Sequence, residues 1–411
     1  MGYNNGMAAF EFVSHKIEPD FRTLVFTYSL ESEVFTQTIQ LETPIDKGKL
    51  TPLFERVLHN LHFALGISYW KATCSSEIQI KWGSITKSES DFWNTIYTKG
   101  LGEFYYKNNI DFRNLVHFPF VNDTTSHEST KLPKHNRDLI GIGGGKDSAL
   151  VWEMWKKKNK HADGLVIHTQ NRHSIIDQLT TKMGIPHIRV MRSMDKSFFN
   201  PEKKWKYNGH VPVSMIYAWI GILVAYLFDY DSFIVSNERS AEEANTTLFG
   251  MNINHQWSKT KEFEELFNEY IHTHITPSID YYSPIRDMSE LHIVEKLVQN
   301  YPQYVSHIAS CNRNFSIQNP LKEKKWCGAC PKCAFAFLMF AACMSKKAVI
   351  EMFGKDLLAD SSLLPLFADL GGRGGLKPFE CVGTFAEVQE ALRMIVAKGE
   401  FIIPGDLVMN Q

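Results

Sequence analysis

A run of three consecutive glycines constrains the fold of this chain more than any other feature. The glycines follow an apolar run at 139–142 and precede a segment at 148–158 with helical spacing of apolar residues. Because glycine has no Cβ, the backbone N–H groups of such a loop can converge on an anion, and the start of the following helix adds a positive partial charge. The strand–loop–helix order predicts an α/β fold in which Gly143, Gly144 and Gly145 hold phosphate groups.

The residues after the glycines have the chemistry of a nucleotide site. Lys146 supplies a mobile cation, Asp147 can bind Mg²⁺ and Ser148 can donate a hydrogen bond to a phosphate oxygen. The loop is not a Walker A sequence, because Ile140 stands where the first glycine is required and Asp147 replaces Ser or Thr. The alternative interpretation is a glycine-rich turn with an aspartate near the helix start.

The segment resembles the PP-loop of the N-type ATP pyrophosphatases, whose pattern is Ser-Gly-Gly-x-Asp-Ser. Five of the six positions hold, and Gly143 stands where serine is usual, which removes one hydroxyl contact to pyrophosphate. The resemblance implies that ATP is split between its α and β phosphates, with Mg²⁺ and Lys146 offsetting the charge of the leaving group. It also implies that the adenosine lies at the end of the second strand, around His168.

The glycine loop opens a region in which strands and helices alternate. Short apolar runs at 164–168, 187–191 and 232–235 are separated by helical segments. This pattern is typical of a parallel, doubly wound sheet, whose ligands bind beyond the carboxyl ends of the strands.

One uncharged stretch has the length of a membrane span. Residues 211–228 carry no formal charge, but they include Pro212 and Gly221 and are followed at once by aspartates. We interpret the stretch as a buried core helix, because the rest of the chain has an α/β pattern.

The N-terminus lacks a basic segment followed by an apolar core, so we expect no signal peptide, no membrane partner and a cytoplasmic protein.

Three regions of the chain differ in pattern. Residues 1–125 combine alternating apolar runs with helical segments, which predicts an N-terminal α+β domain that begins with antiparallel strands. A polar stretch at 121–134 has the composition of a linker. We predict that residues 135–310 form the PP-loop (HUP-type) ATP-binding domain and residues 311–411 a mainly helical C-terminal region with a cysteine cluster.

Four cysteines have the spacing of a metal site. Cys311 is followed after fifteen residues by Cys327, Cys330 and Cys333, which form two overlapping C-x-x-C turns and can complete a tetrahedral Cys₄ set. Structural Zn²⁺ is the first interpretation, and an iron–sulfur cluster or thiols without a metal are the alternatives. The chain has seven cysteines, an odd number, which favours reduced thiols over disulfides.

Two further segments contain groups that can exchange a proton with a substrate. Glu238 follows the fourth strand, where it is either a substrate contact or general base, or part of a solvated helix start. Cys381 lies near Arg373 and Lys377, which either grip an anionic substrate or belong to a flexible surface loop.

Seven segments together resemble one family. They are LGISYWKA, GLGEFYYKN, GIGGGKDS, SNERSAEEAN, YYSPIRDMSEL, WCGACPKCAFAFL and KPFECVGT. In this order they resemble the UDP-N-acetylmuramoyl-L-alanyl-L-glutamate epimerases, from about residue 53 to the end. The resemblance implies ATP-dependent inversion of the terminal glutamate of a small-molecule substrate, UDP-MurNAc-L-Ala-L-Glu, for peptidoglycan synthesis.

The implied reaction has to remove the α-proton of the terminal glutamate, which is only weakly acidic. Adenylation of the neighbouring carboxylate makes a mixed anhydride, so that one group can remove the proton and a second can return it to the other face. Glu238 and Cys381 are our candidates for these two groups, and Lys146 and Asp147 for catalysis at the phosphates.

Two other function classes fit parts of the sequence. One is another PP-loop adenylating enzyme, similar to 7-cyano-7-deazaguanine synthase or to the tRNA-thiolating enzymes. The other is a non-catalytic nucleotide-binding or zinc scaffold protein, which Asp147 and Ser148 argue against. The 44 basic and 45 acidic residues create no global basic field, so we expect no nucleic-acid partner. The patterns do not indicate an oligomeric state.

Overall fold

The protein is a mixed α/β structure built on one large β-sheet. The computed structural model describes residues 9–122, 129–158, 160–316, 321, 324–374, 377–404 and 407–408; residues 123–128 of the predicted linker lie outside them. The strands are β1 (Phe10–Ile17), β2 (Thr23–Leu30), β3 (Glu33–Leu41), β4 (Ile78–Ile80), β5 (Asp138–Gly141), β6 (Ala162–Thr169), β7 (His187–Met194), β8 (Ser232–Ile234), β9 (Thr246–Leu248), β10 (Met251–Ile253) and β11 (Asp280–Tyr282). The helices are α1 (Pro52–Trp70), α2 (Lys87–Gly100), α3 (Gly102–Lys107), α4 (Lys146–Lys157), α5 (Ser174–Met183), α6 (Val213–Leu227), α7 (Lys261–His274), α8 (Glu290–Asn300), α9 (Pro302–Val305), α10 (Pro331–Cys343), α11 (Lys346–Phe353), α12 (Leu364–Leu370) and α13 (Phe385–Lys398).

The larger part of the main sheet is parallel, as the sequence predicts. Its strands run in the order β11-β8-β5-β6-β7-β3-β2-β1-β4, and every neighbouring pair from β11 to β7 is parallel. The carboxyl ends of β5, β6 and β8 therefore meet at one edge of the sheet, where such sheets bind ligands.

The N-terminal strands belong to the same sheet. The predicted antiparallel strands are confirmed as β1, β2 and β3, and β3 pairs with β7 from Leu41↔Val190 to Gln37↔Met194. This pairing covers a strand edge that would otherwise leave backbone N–H and C=O groups without partners. The N-terminal region thus shares its sheet with the glycine-loop region, and the boundaries of the three predicted domains stay predictions.

Hydrophobic cores lie on both faces of the sheet. Successive residues of a strand point to opposite faces, so Leu139 and Leu165 join the core that contains α1 and α6. Ile140 and Val166 join the core that contains α4, α8, α10 and α13. Helices dominate after β11, which confirms the predicted helical character of the C-terminal region.

The uncharged stretch at 211–228 forms the core helix α6. Its residues from position 218 to the end of the helix at Leu227 are buried. Gly221 is required where α6 crosses β8, because a Cβ there would lie 2.1 Å from the ring of Phe233. Across the described ranges, no helix combines the length and the apolar character of a bilayer crossing.

Candidate active site

The glycine loop connects the end of β5 to the start of α4. Gly144 has φ +83°, in the left-handed region that disfavours a side chain, and a Cβ there would lie 3.2 Å from Ile176. Gly145 precedes α4, and within the described chain no side chain caps this helix start. The N–H groups of the first turn are therefore available to an anion.

A cavity of about 320 Å³ lies beyond the carboxyl ends of β5, β6 and β8. Four of the predicted nucleotide-binding residues belong to its wall, namely Gly143, Gly145, Asp147 and Ser148. The rest of the wall combines apolar strand residues with polar side chains from distant segments, including Leu165, Ile167, Phe233, Val235, Asn237, Lys259, Asn312, Lys332 and Cys381. We call this space the first cavity.

Lys146 lies behind the loop and, among the described residues, is not part of the cavity wall. Its ammonium donates a hydrogen bond to Asp147 at 2.6 Å and forms a second ion pair with Glu290 at the start of α8. Burial by itself lowers the pKa of Lys146, but the two carboxylates outweigh it and raise the pKa above its ordinary value. Lys146 is thus a fixed cation that orients Asp147.

Glu290 connects the loop to the cysteine segment. Its buried carboxylate contacts Lys146 and lies 3.5 Å from the ammonium of Lys332. Burial by itself raises the pKa of Glu290, but the two ammonium groups lower it to about 2. Glu290 lies within the segment YYSPIRDMSEL, but it was not among the residues predicted to be functional, because the segment does not reveal what Glu290 contacts.

Glu238 caps the 3₁₀ turn at Arg239–Glu242. Its two carboxylate oxygens accept hydrogen bonds from the backbone N–H of Ser240 at 2.5 Å and from its hydroxyl at 2.9 Å. Burial, and then the carboxylates of Glu290 and Asp147, raise the pKa of Glu238 to about 8. Glu238 is not among the described wall residues of the first cavity, and its role as a base stays a prediction.

Cys381 lies in the wall of the first cavity next to two cationic side chains. The ammonium of Lys259 donates a hydrogen bond to its sulfur at 3.3 Å, and His255 is a second hydrogen-bonding partner. Burial by itself raises the pKa of the thiol, but Lys259 and then His255 lower it to about 5. Cys381 is therefore a thiolate at neutral pH, able to act as a nucleophile or as a base.

A buried carboxylate holds His255 beside the thiolate. Glu103 in α3 accepts a hydrogen bond from Nδ1 of His255 and lies 3.2 Å from Nδ1 of His210. Burial by itself lowers the pKa of His255, but Cys381 and Glu103 raise it to about 9, so the imidazole is protonated at neutral pH. Glu103, His255 and Lys259 were not among the residues predicted from the sequence, although the segment GLGEFYYKN contains Glu103.

His168 points to the face of β6 opposite to the first cavity. Leu165 and Ile167 of the same strand line the cavity. Nδ1 of His168 accepts a hydrogen bond from the backbone N–H of His173 at 3.1 Å, and its Nε2 lies 3.8 Å from Asp177. Burial lowers the pKa of His168 to about 4, so it is neutral. Its contact with adenosine stays a prediction.

The four predicted metal-binding cysteines converge. The sulfurs of Cys311, Cys327, Cys330 and Cys333 all lie within 4.8 Å of one another. The start of α10 brings two of them together, because it begins directly after Cys330 and contains Cys333 in its first turn. A hydrogen bond with the neighbouring Cys311 raises the pKa of Cys330 to about 12. Ionisation of Cys330 therefore costs free energy, and a bound cation would offset this cost. Four thiol donors are a usual ligand set for structural zinc, so these residues fit that metal.

The cysteine cluster also shapes the first cavity. Asn312 and Lys332 stand next to cysteines of the cluster in the sequence, and both line the cavity. The backbone N–H of Ala309 donates a hydrogen bond to the carbonyl of Gly144 at 3.1 Å. The segment that carries the cluster therefore supports the glycine loop directly.

Comparison with known proteins gives consistent matches over most of the chain. The family model of the MurL N-terminal domain matches residues 1–284, and that of the MurL C-terminal domain matches residues 307–403. Three relatives are named UDP-N-acetyl-alpha-D-muramoyl-L-alanyl-L-glutamate epimerase. The protein of Xanthomonas oryzae pv. oryzae is 31% identical over 381 residues, which are 92% of this chain and 83% of the relative. A Micromonospora protein is 31% identical over 407 residues (96% and 88%), and a Salinispora tropica protein is 32% identical over 409 residues (96% and 85%).

Proposed function

The chain belongs to the MurL family of epimerases, and we propose that it inverts the terminal L-glutamate of UDP-MurNAc-L-Ala-L-Glu to D-glutamate by an ATP-dependent reaction. Epimerases are isomerases, and the chain is an enzyme of that class. The D-glutamate product would enter peptidoglycan synthesis.

The glycine loop supports adenylation as the first step. An oxygen of the glutamate α-carboxylate would attack the α-phosphorus of ATP, and the bond to the β-phosphate oxygen would break, so that pyrophosphate leaves with the electron pair. The loop N–H groups, Ser148 and the start of α4 would hold the pyrophosphate. The same strand–loop–helix unit favours a PP-loop, HUP-type fold for the parallel part of the sheet.

Asp147 is the residue that would hold Mg²⁺ at the phosphates. Its carboxylate lies in the wall of the first cavity, and carboxylates are the usual protein ligands of this ion. Bound Mg²⁺ would supply compensation for the negative charge of the leaving group. Lys146 orients Asp147 through the 2.6 Å hydrogen bond and adds a fixed positive charge behind the loop.

Cys381 is the group best suited to remove the α-proton. Adenylation acidifies the α-carbon, and the thiolate, stabilised by Lys259 and His255, would take the proton and become a thiol. Return of a proton to the opposite face inverts the centre, and hydrolysis of the anhydride releases AMP and the free acid. Glu238, our candidate for the second face, would first have to leave Ser240.

We also propose that the cysteine cluster holds one structural Zn²⁺. The ion would supply folding free energy and would stabilise the segment that carries Asn312 and Lys332. The cluster is separate from the reacting carbon in this scheme, so its metal has no chemical role in the inversion.

The family match, together with a thiolate in the same cavity as the glycine loop, carries the proposed function. It is tested by incubating the protein with ATP, Mg²⁺ and UDP-MurNAc-L-Ala-L-Glu, followed by acid hydrolysis and chiral analysis of glutamate. We expect D-glutamate, AMP and pyrophosphate. Unchanged L-glutamate would contradict the epimerisation, and ADP with phosphate would contradict the adenylation.

A further inference from the structure

A second cavity of about 790 Å³ adjoins the first. Tyr217 and Phe315 belong to the walls of both, so the two spaces meet at these side chains. The volume lies within the range of sites for small molecules and cofactors. A long ligand can therefore extend from the second cavity to Cys381 in the first.

The second cavity has a positively charged wall. Its described lining contains no carboxylate, and its cationic residues are Lys71, Arg192, Lys203 and Lys204. Lys203 is paired with Glu33, which lies outside the lining. Lys204 is exposed at the cavity.

Two of these cations are buried without a counter-charge from any described residue. Lys71 is 7% exposed, and its ammonium donates hydrogen bonds only to neutral groups, the carbonyl of Gly209 and, at 3.3 Å, the side chain of Asn208. Arg192 is 2% exposed, and its guanidinium also donates only to neutral partners among the described residues: the hydroxyl of Ser68 at 3.1 Å and the side-chain amide oxygen of Gln37 at 2.7 and 3.2 Å. Within the described chain, neither cation forms an ion pair with a carboxylate. Because buried charges are normally paired, this arrangement indicates that an anion completes the site.

Aromatic rings form another part of the same wall. The indole of Trp205 stacks on Phe198 with ring centroids 5.1 Å apart and donates a hydrogen bond to the carbonyl of that residue at 2.9 Å. Phe199 and Tyr207 also line the cavity. Fixed aromatic rings stack on nucleobases of any kind, because every base has a π-face.

We propose that the second cavity binds the nucleoside diphosphate end of the substrate, with the phosphates at Lys71 and Arg192 and the base against the aromatic wall around Trp205. This assignment rests on the proposed function, because it needs a substrate whose other end is the glutamate at Cys381. The ligand passes from one cavity to the other at Tyr217. Anchoring at a distance leaves both faces of the reacting carbon accessible.

Binding of UDP alone, measured by calorimetry without ATP or peptide, tests the site independently of turnover. Lys71→Met should weaken UDP binding about tenfold, because it removes a charge-assisted contact to phosphate. Lys204→Gln should weaken UDP binding about threefold, because it removes a positive charge from the same cavity wall. The KM for the UDP-linked substrate should rise by a similar factor, with the KM for ATP unchanged. Lys204 is exposed, so its substitution preserves the fold even if that of Lys71 does not. Lys131→Met changes an exposed lysine outside both cavities and should alter neither constant.

The outcomes separate this assignment from the proposed function. The assignment would be overturned if UDP binding were unchanged in both variants. It would also be overturned if the KM for ATP rose in place of the KM for the UDP-linked substrate, a result that would place ATP in this cavity. Epimerisation by a wild-type protein that does not bind UDP would also overturn it, while the proposed function would stand. Charge-dependent UDP binding without epimerisation would contradict the proposed function and support the nucleoside diphosphate site.

Discussion

The ammonium of Lys259 lies 3.3 Å from the sulfur of Cys381, although the two residues are 122 positions apart in the sequence. Burial by itself would raise the pKa of this thiol, but Lys259, together with His255, lowers it to about 5 and so favours the thiolate. The proposed proton transfer needs such a sulfur in the cavity that receives the activated glutamate.

Replacement of this thiol should separate adenylation from proton transfer. In Cys381→Ser, the hydroxyl is too weak an acid to ionise, so incorporation of deuterium from D₂O at the glutamate α-carbon should fall at least about hundredfold. ATP–pyrophosphate exchange should persist, because the adenylating residues are intact. Cys343→Ser, in the C-terminal helical core, is the matched control. Deuterium incorporation at the wild-type rate in Cys381→Ser would contradict the assignment.

The pH dependence of activity should report the Lys259 contact. Cys381 must be ionised to act, and its pKa of about 5 is depressed from the ordinary 9.0, so kcat/KM should be lost only as the pH falls through about 5. Lys259→Met removes the main cause of the depression and should move this acidic limb to higher pH. Lys261→Met, an exposed lysine at the start of α7, should leave it in place. An acidic limb that does not move in Lys259→Met would show that Cys381 is not the titrating group.

Asp147 should be essential for the ATP half-reaction. Asp147→Asn removes the charge that would hold Mg²⁺ but retains the size of the side chain, so ATP–pyrophosphate exchange should fall at least about hundredfold. Circular dichroism should be unchanged. Asp91→Asn, on the exposed surface of α2, should retain full exchange. Substantial exchange in Asp147→Asn would contradict the role of this carboxylate.

Glu290 should matter for stability as well as for activity. Glu290→Gln removes the negative charge between Lys146 and Lys332, and unpaired buried ammonium groups are costly. We expect a loss of about 3 kcal/mol in the free energy of unfolding, measured by urea denaturation. Glu295→Gln, a surface change on the same helix, should cost less than about 0.5 kcal/mol. Equal stabilities of the two variants would refute the buried ion-pair network.

Metal analysis should find about one zinc per chain. Removal of the ion by a chelator, or the change Cys330→Ser, should lower the melting temperature by several degrees, because metal binding and folding are coupled. Cys343→Ser changes a cysteine outside the cluster and should retain the zinc. A stable purified protein without metal would contradict the zinc assignment. Iron together with a visible absorption band would indicate that the four cysteines hold an iron–sulfur cluster.

Features that depend on a few neighbouring residues could be predicted from the sequence alone. The glycine loop can connect β5 to α4 in a tight turn because Gly144 adopts a left-handed conformation, which glycine accepts without strain. Cys330 and Cys333 converge because one turn of helix brings their side chains together. The parallel strands follow from their alternation with helices, which is also a local pattern.

The tertiary structure alone decided which distant groups meet. No local pattern predicts that Glu103 supports His255, that Lys259 ionises Cys381, or that β3 pairs with β7 to join the N-terminal strands to the sheet. The physical reason is range. Conformational preferences are set within a few residues along the chain, whereas burial and electrostatic interaction depend on distances in space. The sequence by itself therefore determined where the loop and the cysteine cluster lie. The packing of the chain determined which charges surround them.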